Sequence, residues 1–499
     1  MSDLNIIFLD KKLPNTGFKN KKRSFPWSKY RSLQALIGLF FLAFCIRFPF
    51  FFRDYIDKDE STFILMGQAW TDGFLPYTYL WDLKPPLTFG FFSAVIALFG
   101  KSFFWIRMGG VLLVSYTAFL VYNMIFRHTK NSRNAIFAAI LSILFSSLFG
   151  SVQGVMSEHI SMALFMSGLY FITATELSSR KLFIGGLFLG LSAMAKLNLA
   201  YAILLLGLFM STSALYFCPL KKALQRILSL GIGILIAIGA TAVPYIRIGA
   251  QELWWKSIFL ASGSYAQFNW LNALIISPFI LLLAVYVIRN KSFVTVIIGV
   301  CAIGVLSSFV VAGKVNGHYL LQIYPLAFIL LGLGLADKKI IRPKHLYIWL
   351  LLLSIAPLES YIEYGAVYKN YQEKGRFYNG EGIDIASYLK ATQIPAQNAL
   401  FFEYHILYWI LDKTPPSMAV THPSNLFRQE LFPYFSKRKT SQEELQYLID
   451  SLAPAIIVID QKHSLFKGHP KEGAYFEAAI KKHYRPDTTI GKGIVYTRR

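Results

Sequence analysis

Charge is scarce in this chain. Only 15% of its 499 residues are charged, and the 27 acidic residues are outnumbered by 50 Lys and Arg. A soluble protein of this length carries about a quarter charged residues, so a set of ordinary soluble domains is excluded. Cysteine is nearly absent: Cys45, Cys218 and Cys301 all fall inside apolar runs. That placement excludes a disulfide framework or a zinc spacing and leaves them as small core residues. No internal repeat and no low-complexity tract is present.

What the chain has instead is hydrophobic runs of membrane-spanning length. They lie at about 33–50, 103–126, 134–151, 159–177, 182–196, 199–218, 227–246, 271–289, 292–312, 319–336 and 345–358. Runs near 20 residues cross hydrocarbon as helices, because the backbone there must satisfy its own hydrogen bonds. About eleven spans are predicted. The first run ends in Arg47-Phe48-Pro49-Phe50 rather than in small residues, so it is expected to stay as an anchor and not to be cleaved.

The net charge of +23 raises the possibility of nucleic acid, but its placement argues against that partner. Basic residues cluster at the N-terminus (Lys11, Lys12, Lys19, Lys21, Lys22, Arg23) and at every second connection. Those connections hold Arg127/Lys130/Arg133, Arg180/Lys181, Lys221/Lys222/Arg226, Arg289/Lys291 and Lys338/Lys339/Arg342/Lys344. This alternation follows the positive-inside rule and predicts a cytoplasmic N-terminus and an extracytoplasmic C-terminus. The run Pro86–Phe99 is too short to span, and counting it would reverse the alternation, so it is read as an interfacial or re-entrant helix. The predicted organisation is a basic tail (1–32), a transmembrane domain (33–358) with a long first outer loop (51–102), and an outer α/β domain (359–499).

That first loop gathers acids. Asp57-Lys58-Asp59-Glu60 opens a predicted helix that ends before Gly73. Acids at a helix start are most often caps that complement the helix dipole. Further along, Trp81-Asp82-Leu83-Lys84-Pro85-Pro86 places a cation before a double proline, which bars regular helix and fixes an extended approach to the next helix. Glu158 stands at the outer end of a span, where acids are costly and tend to be functional. Its bland alternative is a cap. Lys196 sits at the next outer turn, either snorkelling or binding phosphate. Arg107 is either an ion-pair residue of the bundle or a ligand contact. Lys314, His318 and Tyr319 open another span, as an interfacial belt or a binding segment.

Asp59-Glu60, the Gly73…Pro76-Tyr77 turn and Asp82-Leu83-Lys84-Pro85-Pro86 together resemble the first-loop signature of the GT-C membrane glycosyltransferases. The nearest group is that of the protein O-mannosyltransferases and the lipid A aminoarabinose transferase. The usual form is Asp-Lys-Pro-Pro; here Leu83 stands between Asp82 and Lys84. The resemblance is specific in the first loop, diffuse in the spans to about residue 336, and weak beyond.

The resemblance implies a polytopic all-α membrane protein of GT-C fold in the bacterial plasma membrane. It implies an inverting glycosyltransferase (hexosyl or pentosyl transfer) that uses a polyprenyl-phosphate-linked sugar. The acceptor is a glycan, a lipid or a protein. Asp59 and Glu60 are then the catalytic acids, Asp59 serving as base. Glu158, Asp57 and Asp82 orient the acceptor or a metal. Lys84, Lys196, Arg107, Lys314, His318 and Tyr319 hold the donor phosphate. Some relatives of this kind use a divalent cation and others do not, so the resemblance leaves a metal open; if one binds, Asp59 and Glu158 are its expected ligands. The competing readings are a transporter or flippase of lipid-linked sugars, whose charged sites belong near the midplane, and a membrane scaffold, which leaves the first loop unexplained.

Overall fold

A computed structural model describes residues 27–148, 150–290, 292–313, 315–335, 354–392 and 398–499. The basic residues Lys11 to Arg23, Lys291, Lys314, the cluster Lys338 to Lys344 and the stretch 345–353 of the last apolar run lie outside these residues. In chain order the helices are α1 (Trp27–Arg47), α2 (Lys58–Thr71), α3 (Pro86–Phe99), α4 (Phe103–Thr129), α5 (Ser132–Phe145) and α6 (Ser157–Ile172). They continue as α7 (Ser179–Ala193), α8 (Ala200–Phe217), α9 (Leu220–Arg247), α10 (Trp270–Arg289), α11 (Phe293–Ala312) and α12 (Tyr324–Gly334).

Among the described residues seven helical segments are long and apolar enough to cross a membrane. They are α4, α8, α9, α10 and α11, together with α1 and α12 extended by neighbouring 3-10 turns. This is a multi-pass membrane protein. Three more of the expected runs are helices shorter than these. The runs at 134–151, 159–177 and 182–196 form α5, α6 and α7 of 14, 16 and 15 residues, each ended by a tight turn before spanning length. Of the eleventh run, 345–353 lie outside the described residues.

Helix starts follow ordinary capping chemistry, with side-chain oxygens accepting orphan backbone N–H groups. Asn131 caps α5, Ser178 caps α7, Asn269 caps α10 and Ser292 caps α11. Gly313 ends α11 in the left-handed region, at φ 65°. Helices pack closely where side chains are smallest. Gly186 and Gly190, one turn apart on α7, lie against the backbone of α9 at Leu230 and Ile234, and Gly233 returns the contact at Phe183. A Cβ at any of the three would collide with backbone, as expected for small residues at membrane helix contacts.

The chain gathers into two compact units. Among the described residues the first contains those of 27–47, 108–243 and 266–359, and the second those of 48–107, 244–265 and 360–499. Within the second, α2 and α3 form an antiparallel pair. They approach so closely at Gly67 that a Cβ there would lie 2.5 Å from the Phe92 Cβ. With 14 residues, α3 is about 21 Å long, short of the roughly 30 Å hydrocarbon core.

The same unit holds the carboxy-terminal fold. It comprises α13 (Leu358–Lys374), α14 (Glu381–Ala391), β1 (Leu400–Phe401), α15 (Ile406–Ile410), β2 (Ile456–Asp460), α16 (Pro470–His483), β3 (Tyr484–Ile490) and β4 (Gly493–Arg498). The sheet order is β1-β2-β4-β3, with β1 parallel to β2 and the other pairs antiparallel. Strand β2 reads Ile456-Ile457-Val458-Ile459 and all four are buried, as a strand covered on both faces should be. Phe476 and Ile480 of α16 join Leu400, Phe402, Ile457 and Ile459 in one core. The predicted α/β character is present.

Candidate functional site

The second unit contains an acid–base cluster built on the N-terminus of α2. Asp57 caps the helix, accepting the Asp59 N–H at 2.8 Å. This orientation sends Asp59 to the first turn. Its Oδ2 lies 3.2 Å from Lys84 Nζ, and its Oδ1 lies 3.1 Å from His422 Nε2. His422 Nδ1 accepts the Ser424 N–H at 3.1 Å, which leaves Nε2 as the protonated nitrogen that donates to Asp59. Lys84 is held through its backbone: the Tyr77 hydroxyl donates to the Lys84 carbonyl at 2.6 Å, and Pro85 is extended with Pro86 in the first turn of α3. The ammonium also sits 5.5 Å from the Phe63 ring centre.

Burial, reinforced by the charge of Asp59, pushes the Asp57 carboxyl up to about 7. A buried carboxyl beside a like charge holds its proton to higher pH, so Asp57 stays protonated well above the usual carboxylate range. Close by, His405 Nε2 lies 3.1 Å from both the Thr62 hydroxyl and the Lys58 carbonyl. Burial, and after it the neighbouring His422, lowers the His405 pKa to about 3. It is a neutral donor that fixes the first turn of α2.

Glu60 faces elsewhere. Its carboxylate takes Arg107 Nη2 at 3.0 Å and Nε at 3.4 Å, and Arg107 Nη1 donates to the carbonyls of Phe50 (2.6 Å) and Arg53. Both side chains are 1% exposed. Arg107 thus makes a buried ion pair with Glu60. Asp82 is also buried at 1%, and among the described residues its Oδ2 has no hydrogen-bond partner. Asp54 ties this loop to α14: its Oδ2 accepts the Ile383 N–H at 2.9 Å. Gly380, at φ 127°, leaves the room that the Asp54 carboxylate fills.

The first unit holds a separate cluster. Glu158, in the first turn of α6, is fully buried and lies 2.6 Å from Lys196 Nζ. The Ser157 hydroxyl donates to Glu158 Oε2 at 3.0 Å. His318 Nε2 stands 4.0 Å from Oε1, and Lys196 Nζ lies 4.7 Å from the Tyr319 ring centre. A reciprocal amide pair clamps the two segments that carry these groups. Asn198 Nδ2 donates to Gln322 Oε1 at 2.6 Å, and Gln322 Nε2 returns to Asn198 Oδ1 at 2.9 Å. Arg47 holds the turn before α6, donating to the carbonyls of Val152, Gln153 and Gly154 at 2.7–2.9 Å.

Glu158, Lys196, His318 and Tyr319 are thus brought together, as are Asp57, Asp59 and Lys84. Lys314 lies outside the described residues. His422, His405 and Arg47 are partners that the sequence does not single out. Their signal is tertiary: two lone histidines in a polar segment, and an arginine at the end of an apolar run. Among the described residues no group of three or more His, Cys, Asp or Glu side chains is arranged to hold a metal ion. The donor set around Asp59 does not fit one either, since an ammonium and an imidazole N–H already face its two oxygens.

Comparison with solved structures places this architecture. The chain is similar to ArnT from Cupriavidus metallidurans bound to undecaprenyl phosphate, with a TM-score of 0.56 over 95% of this chain and 98% of that one, at 13% identity. It also matches the archaeal oligosaccharyltransferase AglB from Archaeoglobus fulgidus, in complex with an inhibitory peptide and a dolichol-phosphate. There the TM-score is 0.47 over 95% of this chain and 75% of that one, at 13% identity. The fold is the ArnT-like GT-C fold. No family model matches the sequence, and no curated protein matches it.

Proposed function

We propose that this chain is a glycosyltransferase that moves a sugar from a polyprenyl-phosphate carrier to an acceptor hydroxyl, with inversion at the anomeric carbon. In this reading it works on the outer face of the bacterial plasma membrane, with its N-terminus cytoplasmic and residues 359–499 outside. The observation that carries the proposal is the Asp59 cluster on a GT-C fold: a carboxylate with an ammonium at 3.2 Å and an imidazole N–H at 3.1 Å. The fold relative ArnT was solved with undecaprenyl phosphate, which supports a carrier of that class.

The reaction needs a base for the acceptor and cations for the leaving group. Asp59 takes the hydroxyl proton as the acceptor oxygen attacks the anomeric carbon. The bond from that carbon to the phosphate oxygen breaks, and the electron pair leaves on the polyprenyl phosphate. Attack from the face opposite the leaving group inverts the centre. The leaving phosphate is a stable anion, so electrostatic stabilisation is needed more than a general acid. Lys84 supplies one positive charge. In the other unit Lys196, with His318 and Tyr319, is a separate candidate for holding carrier phosphate, its lysine paired with Glu158. His422 holds the Asp59 carboxylate in place. The Glu60–Arg107 pair positions α2 and takes no part in proton transfer.

The test is transfer from radiolabelled polyprenyl-phosphate sugars by purified protein, wild type against Asp59→Asn. Loss of transfer with donor binding retained is the expected result. Undiminished transfer removes Asp59 as base. Movement of lipid-linked sugar across liposomes without transfer to any acceptor replaces the proposal with a flippase.

A further inference from the structure

The far end of α2 carries a second polar concavity. Asp59 lies in the first turn of this helix and Asp72 just past its last residue, about 20 Å apart at 1.5 Å per residue. Around the C-terminal end is a cavity of about 280 Å³, near the small end of the range for small-molecule sites. Its lining combines two kinds of chemistry. Phe74 and Tyr79 are stacked at 4.6 Å with an interplanar angle of 26°. They are nevertheless 46% and 39% exposed, leaving ring surface toward solvent.

Beside them runs a fixed polar chain. Trp409 Nε1 donates to Gln68 Oε1 at 3.1 Å, and Gln68 Nε2 donates to Asp72 Oδ1 at 2.9 Å. On the rim Lys101 pairs with Asp412 and donates to the Trp409 carbonyl at 2.6 Å. The Tyr79 hydroxyl donates to Thr414 at 3.2 Å.

We propose that this cavity binds an uncharged pyranose unit of a saccharide. Exposed aromatic faces take the apolar C–H face of a sugar ring, and a carboxylate–amide pair held in one geometry takes neighbouring hydroxyls. Gln68, held by Trp409 on one side and Asp72 on the other, loses less side-chain freedom on binding than a free amide would. The carboxylates of Asp72 and Asp412 disfavour acidic sugars. An aromatic contact with lipid headgroups would explain the exposed rings but not the concave, hydrogen-bonded carboxylate–amide chain beside them. That the bound unit belongs to the acceptor rests on the transferase reading; that the cavity takes a sugar does not.

Saturation-transfer NMR on the full-length protein in nanodiscs tests the idea, with a panel of neutral, amino and uronic oligosaccharides as probes. A neutral oligosaccharide is expected to give ring C–H signals. Its affinity should fall at least tenfold in Tyr79→Ala and in Asp72→Asn. In transfer assays Tyr79→Ala should raise the acceptor KM and leave kcat. Absence of binding by every oligosaccharide overturns the proposal, as does binding indifferent to Tyr79→Ala, or displacement by short-chain phosphatidylglycerol. If sugar binding follows Tyr79 while Asp59→Asn transfers normally, the cavity stands and the base assignment falls.

Discussion

Asp59 and His422 are 363 positions apart in sequence and 3.1 Å apart in the structure. The contact joins the first turn of α2 to a short 3-10 segment of the carboxy-terminal fold, and the Ser424 N–H sets its direction. His422 therefore acts as a positioning residue for the carboxylate. Replacing it with Ala should lower kcat roughly 10- to 100-fold, the scale of a misplaced reacting group. KM for the donor should change little. His422→Gln, which keeps an N–H donor, should recover much of the loss. Equal kcat values in Ala and Gln variants would show that the hydrogen bond does not position Asp59.

How far this site can be read from sequence depends on how local each partner is. The Asp57 cap, the Asp59-Glu60 turn and the Pro85-Pro86 restraint on Lys84 are short-range features, and the chain forms them as read. Glu158, Lys196 and His318 are legible one at a time, because each is an ionisable residue at the end of an apolar run. Their assembly is not legible, since it depends on the Asn198–Gln322 amide pair and on helix packing through glycine. His422 and His405 carry no local pattern. The lengths of α5, α6 and α7 are not legible, because an apolar run records burial in general, and buried protein core has the same composition as a lipid-facing surface.

The Glu60–Arg107 pair is fully buried and bidentate. Removing one partner leaves an unpaired charge, a loss of about 3–5 kcal/mol. Arg107→Met should thus lower the unfolding temperature sharply in detergent. Glu60→Leu combined with Arg107→Met should recover part of the loss, though not all, because Arg107 also serves the Phe50 and Arg53 carbonyls. A double variant as unstable as the sum of the singles would show that the two residues do not interact.

Lys196 tests the phosphate assignment separately from the base. A charge-assisted contact is worth about 1.5–3 kcal/mol, so Lys196→Met should weaken binding of undecaprenyl phosphate roughly 10- to 100-fold. Isothermal titration with the free carrier phosphate reads this without turnover. Lys196→Arg should bind better than Lys196→Met, because it retains the charge. Affinity equal to wild type in Lys196→Met would remove this residue from the donor site.

Asp57 gives a pH signature. Burial and the Asp59 charge raise its folded-state pKa from 3.8 to about 7, so the folded protein holds a proton that the unfolded chain releases. The sign follows from linkage: stability falls with rising pH wherever the native state binds more protons. The contribution is fully present below about pH 4, declines across the interval to about 7, and is flat above it. Asp57→Asn keeps a side-chain oxygen for the Asp59 N–H and removes the titration. Thermal unfolding in detergent should therefore decline less steeply in Asp57→Asn than in wild type between pH 4 and 7. The two slopes should run parallel between pH 8 and 9. Identical slopes across the lower interval would mean that Asp57 keeps its ordinary carboxylate pKa, and that the proton does not reside on the cap.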